Sequence, residues 1–291
     1  MKKVKTTLGI VRVILKKAHK IGLKSHQRVS QVLEKCCWLL AANEAYIRAE
    51  EDLEILTGIK VGHTTIHRIV KEAEIPEGKA KAVVNSLSVD GGKICLRAES
   101  GGKGEWRDYK MVSLHQSVCR AEFQDNETLV QWVNQQKLAT MINCIGDGHP
   151  GVWNIVSKIA QEYRRREILD WFHLMENLYK IGGSLKRLKR LEGYLWQGLA
   201  ADAIAELSSL RSDKVDNFVA YLGKHRARIP DYQLYQELGF DIGSGSVESK
   251  IKQMGNRVKI TGAQWKQENI PQILRLRCAY LNGDISLSIS A

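Results

Sequence analysis

No two of the six cysteines in this 291-residue chain (Cys36, Cys37, Cys95, Cys119, Cys144 and Cys278) stand as Cys-x-x-Cys, so the spacing of a zinc ribbon is missing. Cys95, Cys119 and Cys144 lie among β-branched and apolar neighbours, the usual setting of buried free thiols. That usage points to a reducing cytoplasm and to no structural metal. Nowhere do about 18 apolar residues run together, which argues against a transmembrane helix and a membrane partner. The first apolar run is broken by Arg12 and no small-residue cleavage site follows, so a secretory signal is excluded; serine is too scarce there for a mitochondrial leader. Internal repeats, low-complexity segments and a convincing nucleophile motif are also lacking.

Acid is scarce at the start. Lys2, Lys3, Lys5, Arg12, Lys16, Lys17, Lys20, Lys24, Arg28 and Lys35 face a single acid, Glu34. Apolar residues from Leu8 to Leu15 interleave with this charge, which predicts a short amphipathic element with a basic face rather than a solvated tail. The whole chain carries a net charge of +12, with 44% hydrophobic and 26% charged residues. This is the composition of a globular protein. Its excess of cations fits a polyanion such as nucleic acid, or simply a soluble basic protein.

Residues 27–75 have helical texture, interrupted at Gly58, with a second helix from Gly62 or His63 to about Ala73. The string from Gly58 to Val70 has the form of the turn and second helix of a helix-turn-helix. It would expose His63, Thr64, His67, Arg68 and Lys71 and bury Ile66, Ile69 and Val70. The exposed set would then enter a DNA major groove; a plain helical hairpin is the other reading. From residue 82 the pattern changes to strands. One ends at Asp90, Gly91-Gly92 turns, and a return strand starts at Ile94. A second turn at Ser100–Gly104 and a third strand over Tyr109–Cys119 complete a meander. A helix follows over Asn126–Lys137, then a strand over Met141–Ile145 and a helix from Gly151 to Arg165. A short strand at Ile168-Leu169 leads into a helix from Asp170 to Ile181. Residues 184–238 are helical and strand-free, and a last helical region starts near Ser246. The sequence thus predicts an α/β fold with a mixed sheet flanked by helices. Four segments are expected: 1–78 helical and DNA-binding, 79–183 the first part of a core, 184–240 a helical insertion, and 241–291 the C-terminal part of the core.

Asp90 and Asp147 each close an apolar run and are followed by glycine. A carboxylate there is held by the sheet, and the glycines let a ligand backbone come close; a plain Asp-Gly turn looks the same. Glu248 stands in the first turn of a helix after the Gly243–Gly245 loop, where it also suits the helix dipole. Lys250, Lys252, Arg257 and Lys259 follow it closely, and Lys186, Arg187, Lys189 and Arg190 form a second basic cluster; both would track a DNA backbone. Two carboxylates about 4 Å apart repel by roughly 4 kcal/mol at an effective dielectric of about 20, so three together call for cations. Oxygen ligands suit Mg2+ or Mn2+.

The strings Leu87-Ser88-Val89-Asp90-Gly91-Gly92, Ile145-Gly146-Asp147-Gly148 and Gly245-Ser246-Val247-Glu248 together resemble the three signatures of DDE transposases from bacterial insertion sequences. Asp170-Trp171-Phe172-His173 is similar to the Asp-x-x-His element of several such families, and Trp265 is similar to a further family feature. The chain resembles in particular the cyanobacterial elements of the ISKra-like group, over roughly residues 38–281. The resemblance implies a ribonuclease H-like fold with an N-terminal helix-turn-helix region. It implies Asp90, Asp147 and Glu248 as the catalytic acids, holding two Mg2+ or Mn2+ ions. It also implies double-stranded DNA as partner, in the form of element ends and target, and a homo-oligomer on that DNA. His149 would orient a water or phosphate, or would only cap the following helix. Asp170 and His173 would lie beside the active site, or would form a buried hydrogen-bonded pair.

Two other activities share these residues. A nuclease on the same fold would hydrolyse DNA without strand transfer. A transposase-derived chain that has lost cleavage would keep only DNA binding. The chain starts inside a basic stretch where the family implies a longer N-terminal region, which keeps that last reading open.

Overall fold

The computed structural model describes residues 1–14, 28–98, 102–210 and 212–286. Its centre is a five-stranded sheet built from two kinds of segment. β3 (Val84–Leu96), β4 (Glu105–Leu114) and β5 (Cys119–Phe123) form an antiparallel meander. β6 (Leu138–Gly146) and β7 (Arg165–Leu169) add in parallel on the other side of β3, giving the order β5-β4-β3-β6-β7. The parallel additions need crossovers, supplied by α4 (Asn126–Asn134) and α5 (Pro150–Val156). The mixed sheet flanked by helices is consistent with the ribonuclease H-like α/β fold.

Strand periodicity sends alternate residues to opposite layers. Leu87, Val89, Val112 and Leu114 pack into one core with α4, α5 and α6 (Trp171–Lys180). The strand-free stretch joins that layer as α7 (Leu185–Trp196), α8 (Ala200–Leu207), α9 (Asp213–His225) and α10 (Tyr232–Glu237). Ile94, Tyr109 and Met111 face the other core. There they meet α1 (Gln31–Ala41), α2 (Tyr46–Thr57), α3 (His63–Lys71), α11 (Gly245–Val258) and α12 (Ile270–Leu281). The N-terminal helices therefore share a core with the sheet.

Four expectations change. The strand through Asp90 does not end there: β3 runs on through Gly91 and Gly92, and the connection to β4 falls at 97–104, of which 99–101 lie outside the described residues. Gly-Gly looks like a turn locally, but here it makes room, because a Cβ at Gly92 would collide with the Tyr109 ring across the strand pair. Tyr109–Cys119, expected as one strand, is divided between β4 and β5 by a turn in which Gln116 has φ 55°. The expected basic helical start is a hairpin instead, β1 (Lys2–Thr6) with β2 (Gly9–Val13); Leu15 lies outside the described residues. The long first helix is also split near Asn43 into α1 and α2, with Gly58 closing α2 in the left-handed region at φ 67°. No helix of the described residues is long and apolar enough to cross a membrane.

Candidate active site

Sheet register brings three aspartates together. Val89 on β3 pairs with Gly146 on β6, and Gly146 pairs with Leu169 on β7. The next residue along each parallel strand is Asp90, Asp147 and Asp170. Neighbouring strands are about 4.8 Å apart, so three acids stand in a row at one edge of the sheet. Carboxyl ends of parallel strands are where open α/β sheets place their ligand crevices.

Asp90 alternates onto the face of Ser88 and Ser113, where α11 crosses the sheet. The Ser113 hydroxyl meets that of Ser246 at 2.8 Å. Small polar residues on this face let the helix start come close. Glu248 is thereby carried to the aspartates, with Oε1 accepting a 2.8 Å hydrogen bond from Ser244 Oγ. The loop before α11 is stitched to the start of α6. The Trp171 N–H donates to the Ile242 carbonyl at 3.0 Å, and the Ser244 N–H donates to Asp170 Oδ2.

Asp170 and His173 take the buried-pair reading. Asp170 is 0% exposed. Its Oδ1 accepts from the His173 N–H at 2.6 Å, which caps α6, and from the ring at 3.1 Å. Ligand atoms of Asp170, His173 and Glu248 all fall within 4.8 Å of one another. The trio ties the loop before α11 to the start of α6, with both Asp170 oxygens accepting protein N–H groups. Burial pushes the Asp170 carboxyl up, but hydrogen bonds from His173 and Ser244 outweigh it and hold the group below its usual range. Asp170 hydrogen bonding in turn raises His173 to about 9, against burial and with help from the Glu248 and Asp147 charges.

The remaining acids fit a cation. Burial raises the Asp90 carboxyl, and the Asp147 charge adds to it; the Gly91 N–H, His173 and Lys110 offset part of the rise. Asp90 Oδ1 accepts from the Gly91 N–H at 2.5 Å, and Asp147 Oδ1 accepts from the His149 N–H at 2.8 Å. The second oxygen of each, and Glu248 Oε2, make no such bond among the described residues. A half-buried acid whose charge is disfavoured, beside two others with open oxygens, is a donor set suited to a hard divalent ion. His149 is exposed, and its Nδ1 accepts from the Gly151 N–H at 3.0 Å, so its ring caps α5.

The expected DNA-facing residues divide. On α3, Thr64 and Arg68 are exposed, His67 packs edge-on against Tyr46, and Lys71 lies 3.8 Å from Glu268. The helix start is tied by Glu50, which accepts from the His63 N–H at 2.7 Å. Ile66, Ile69 and Val70 are buried as expected. On α7, Lys186 is exposed and Arg187 half-buried, while Lys189 and Arg190 pair with Glu192 and Glu206 at 2.8 and 2.5 Å. On α11, Lys252 is exposed, as is Lys259 just past its end, and Lys250 Nζ donates to the Leu281 carbonyl at 3.3 Å. Arg257 does not face DNA. It is 2% exposed, donates to the Ala41 carbonyl at 2.6 Å and lies against the Tyr46 and Trp265 rings. The end of α1 lands on it and takes its guanidinium as a cap, which a basic run cannot foretell.

Sequence reasoning missed several residues around the acids. Tyr221 on α9 donates to the Asp147 carbonyl at 3.3 Å, so the helical insertion reaches the site. Ser244 had a signal in its Ser-x-x-x-Glu spacing ahead of a helix. Lys110 had none, since only the β3–β4 register places it opposite Gly91.

No protein-family model matches this chain. It is similar to the UPF0236 protein in vanSb 3′ region of Streptococcus gallolyticus, with 25% identity over 90% of the chain. The chain spans 66% of the length of that relative.

Proposed function

We propose that this chain is a DDE-type transposase that cleaves phosphodiesters at insertion-sequence ends and joins the 3′-hydroxyl to target DNA. One observation carries the reading: the Val89–Gly146–Leu169 register aligns Asp90 and Asp147 at a sheet edge onto which α11 delivers Glu248. Asp90, Asp147 and Glu248 would hold two Mg2+ or Mn2+ ions, which when bound supply an activated oxygen nucleophile and stabilise the leaving oxygen. The chain's own residues do the rest. Asp170 and Ser244 fix the Glu248 carboxylate, and His173 adds positive charge beside it. Exposed cations on α3, α7 and α11 would hold double-stranded DNA, and a homo-oligomer would pair two ends. The similarity to the streptococcal protein is compatible with this reading without naming an activity.

The test is incubation of the purified protein with labelled duplex carrying the terminal sequences that flank its gene, in Mg2+ or Mn2+, beside Asp147→Asn and Glu248→Gln. Metal-dependent nicking at those ends followed by strand transfer, lost in both variants, is the expected result. Nicking without joining would convert the reading to a nuclease. Salt-sensitive binding with no cleavage by any of the proteins would leave a DNA-binding descendant.

A further inference from the structure

Lys110 occupies an unusual position for a lysine. On β4 it stands opposite Gly91, on the sheet face turned away from Glu248. Its side chain lies across β3: a Cβ added at Gly91 would sit 2.7 Å from Lys110 Nζ and 3.3 Å from its Cδ. Further along, Lys110 Cε lies 3.6 Å from where a Gly151 Cβ would be, at the start of α5. The lysine therefore spans from β4 over the residue after Asp90 to the segment that follows Asp147. Two glycines leave the space it fills. Among the described residues its ammonium has no hydrogen bond or ion pair, and it acts on Asp90 only through space.

A half-buried ammonium without a protein acceptor, lying over the residue that follows Asp90, lacks a counter-ion of its own. The neighbouring acids do not supply one, since Asp90 lies on the other face and its second oxygen stays open. A phosphodiester drawn to the acids' metal ions would bring anionic oxygens to this edge. We infer that Lys110 is a phosphate-binding residue that holds a backbone phosphate of the bound strand, at or next to the bond being cut, and that Gly91 is glycine so that the lysine can lie flat. This inference rests on the transposase reading for the identity of the strand.

Two arms test it, using the full chain and the same labelled duplex. In the binding arm, with Ca2+ in place of Mg2+ or Mn2+ so that the acids are neutralised without cleavage, affinity is measured against salt for wild type, Lys110→Met and Gly91→Ala. Loss of one phosphate contact is expected to reduce the log–log salt slope by about 0.9 in both variants. Gly91→Ala should act like Lys110→Met because the new methyl takes the place of the ammonium while the fold survives; melting curves check that survival. In the cleavage arm, single neutral methylphosphonates are walked through the nick site. One position is expected to slow wild type on the order of 100-fold and to slow Lys110→Met hardly further. An unchanged salt slope in both variants overturns the inference even if no protein cuts, whereas an uncut duplex alone overturns only the transposase reading. A methylphosphonate effect that persists in full in Lys110→Met also overturns it.

Discussion

Two aspartates two strands apart are asked to do opposite things. Asp90 is kept partly out of water beside Asp147, so its charge is disfavoured in the protein without a cation. Asp170, on the next strand but one, is buried more deeply but accepts from His173 and Ser244, so its charge is favoured. Thermal melts in a chelator should separate them. Asp90→Asn is expected to raise the melting temperature while abolishing cleavage, the trade typical of an active site. Asp170→Ala is expected to lose about 2–3 kcal/mol, because it strips partners from a half-buried imidazolium, from the buried Ser244 N–H and from the N-terminus of α6. Equal melting temperatures for the two variants would mean that Asp170 is not the tie that holds Glu248.

At the scale of elements, α11 does two jobs from its two ends. Its first turn carries Glu248 to the sheet edge, and its last turn carries Arg257 to the end of α1. Arg277 on α12 reinforces the second contact, donating to the Ala42 carbonyl at 3.1 Å. Burial pulls the Arg257 guanidinium down to about 10, still charged at neutral pH. Arg257→Ala is therefore expected to cost about 3 kcal/mol by denaturant titration, through lost packing on Tyr46 and Trp265 and an orphaned carbonyl. DNA affinity per folded molecule should stay unchanged. Arg68→Ala on α3 should do the reverse, weakening binding with little effect on the unfolding midpoint. The same midpoint for both variants would show that Arg257 is not a structural cap.

For the molecule as a whole, two histidines set opposite pH slopes on either side of a stability maximum near 6.5. His225 on α9 is 1% exposed, and burial, with Arg228 and Lys224 nearby, pushes it down to about 4. Its unfolded value is near 6.5, so its contribution is complete above 6.5 and is lost as pH falls toward 4, by about 3 kcal/mol. His173 is raised to about 9, so its contribution is complete below 6.5 and is lost as pH rises through 9. Melts across pH 4–10 should show a maximum near 6.5 that declines toward both 4 and 9. His225→Gln should flatten the acid side, and His173→Gln the alkaline side. Unchanged slopes in those variants would assign the pH dependence elsewhere. The +12 charge acts at the same scale. If about six to ten phosphates are contacted, affinity should fall roughly a thousand- to a hundred-thousand-fold between about 50 and 200 mM salt. A flat salt response would remove DNA as the partner.

What the sequence determined by itself is what local periodicity and short strings encode. The alternation of Leu87, Val89 and Asp90 marks a strand, the spacing of Ile66, Ile69 and Val70 marks the buried stripe of α3, and the strand-free stretch at 184–238 marks the helical insertion. Asp90, Asp147 and Glu248 stand out as candidates because each sits in a distinctive string of its own. Tertiary structure decided everything that depends on which segments meet. Gly91-Gly92 has the form of a turn until Tyr109 and Lys110 lie across it. Arg257 is one cation among several until the end of α1 caps itself on it. Asp170 is a second-rank acid until register places it beside Asp147 and Ser244 closes over it. Strand register and helix docking are settled by contacts between residues far apart in the chain, and no local pattern holds that information.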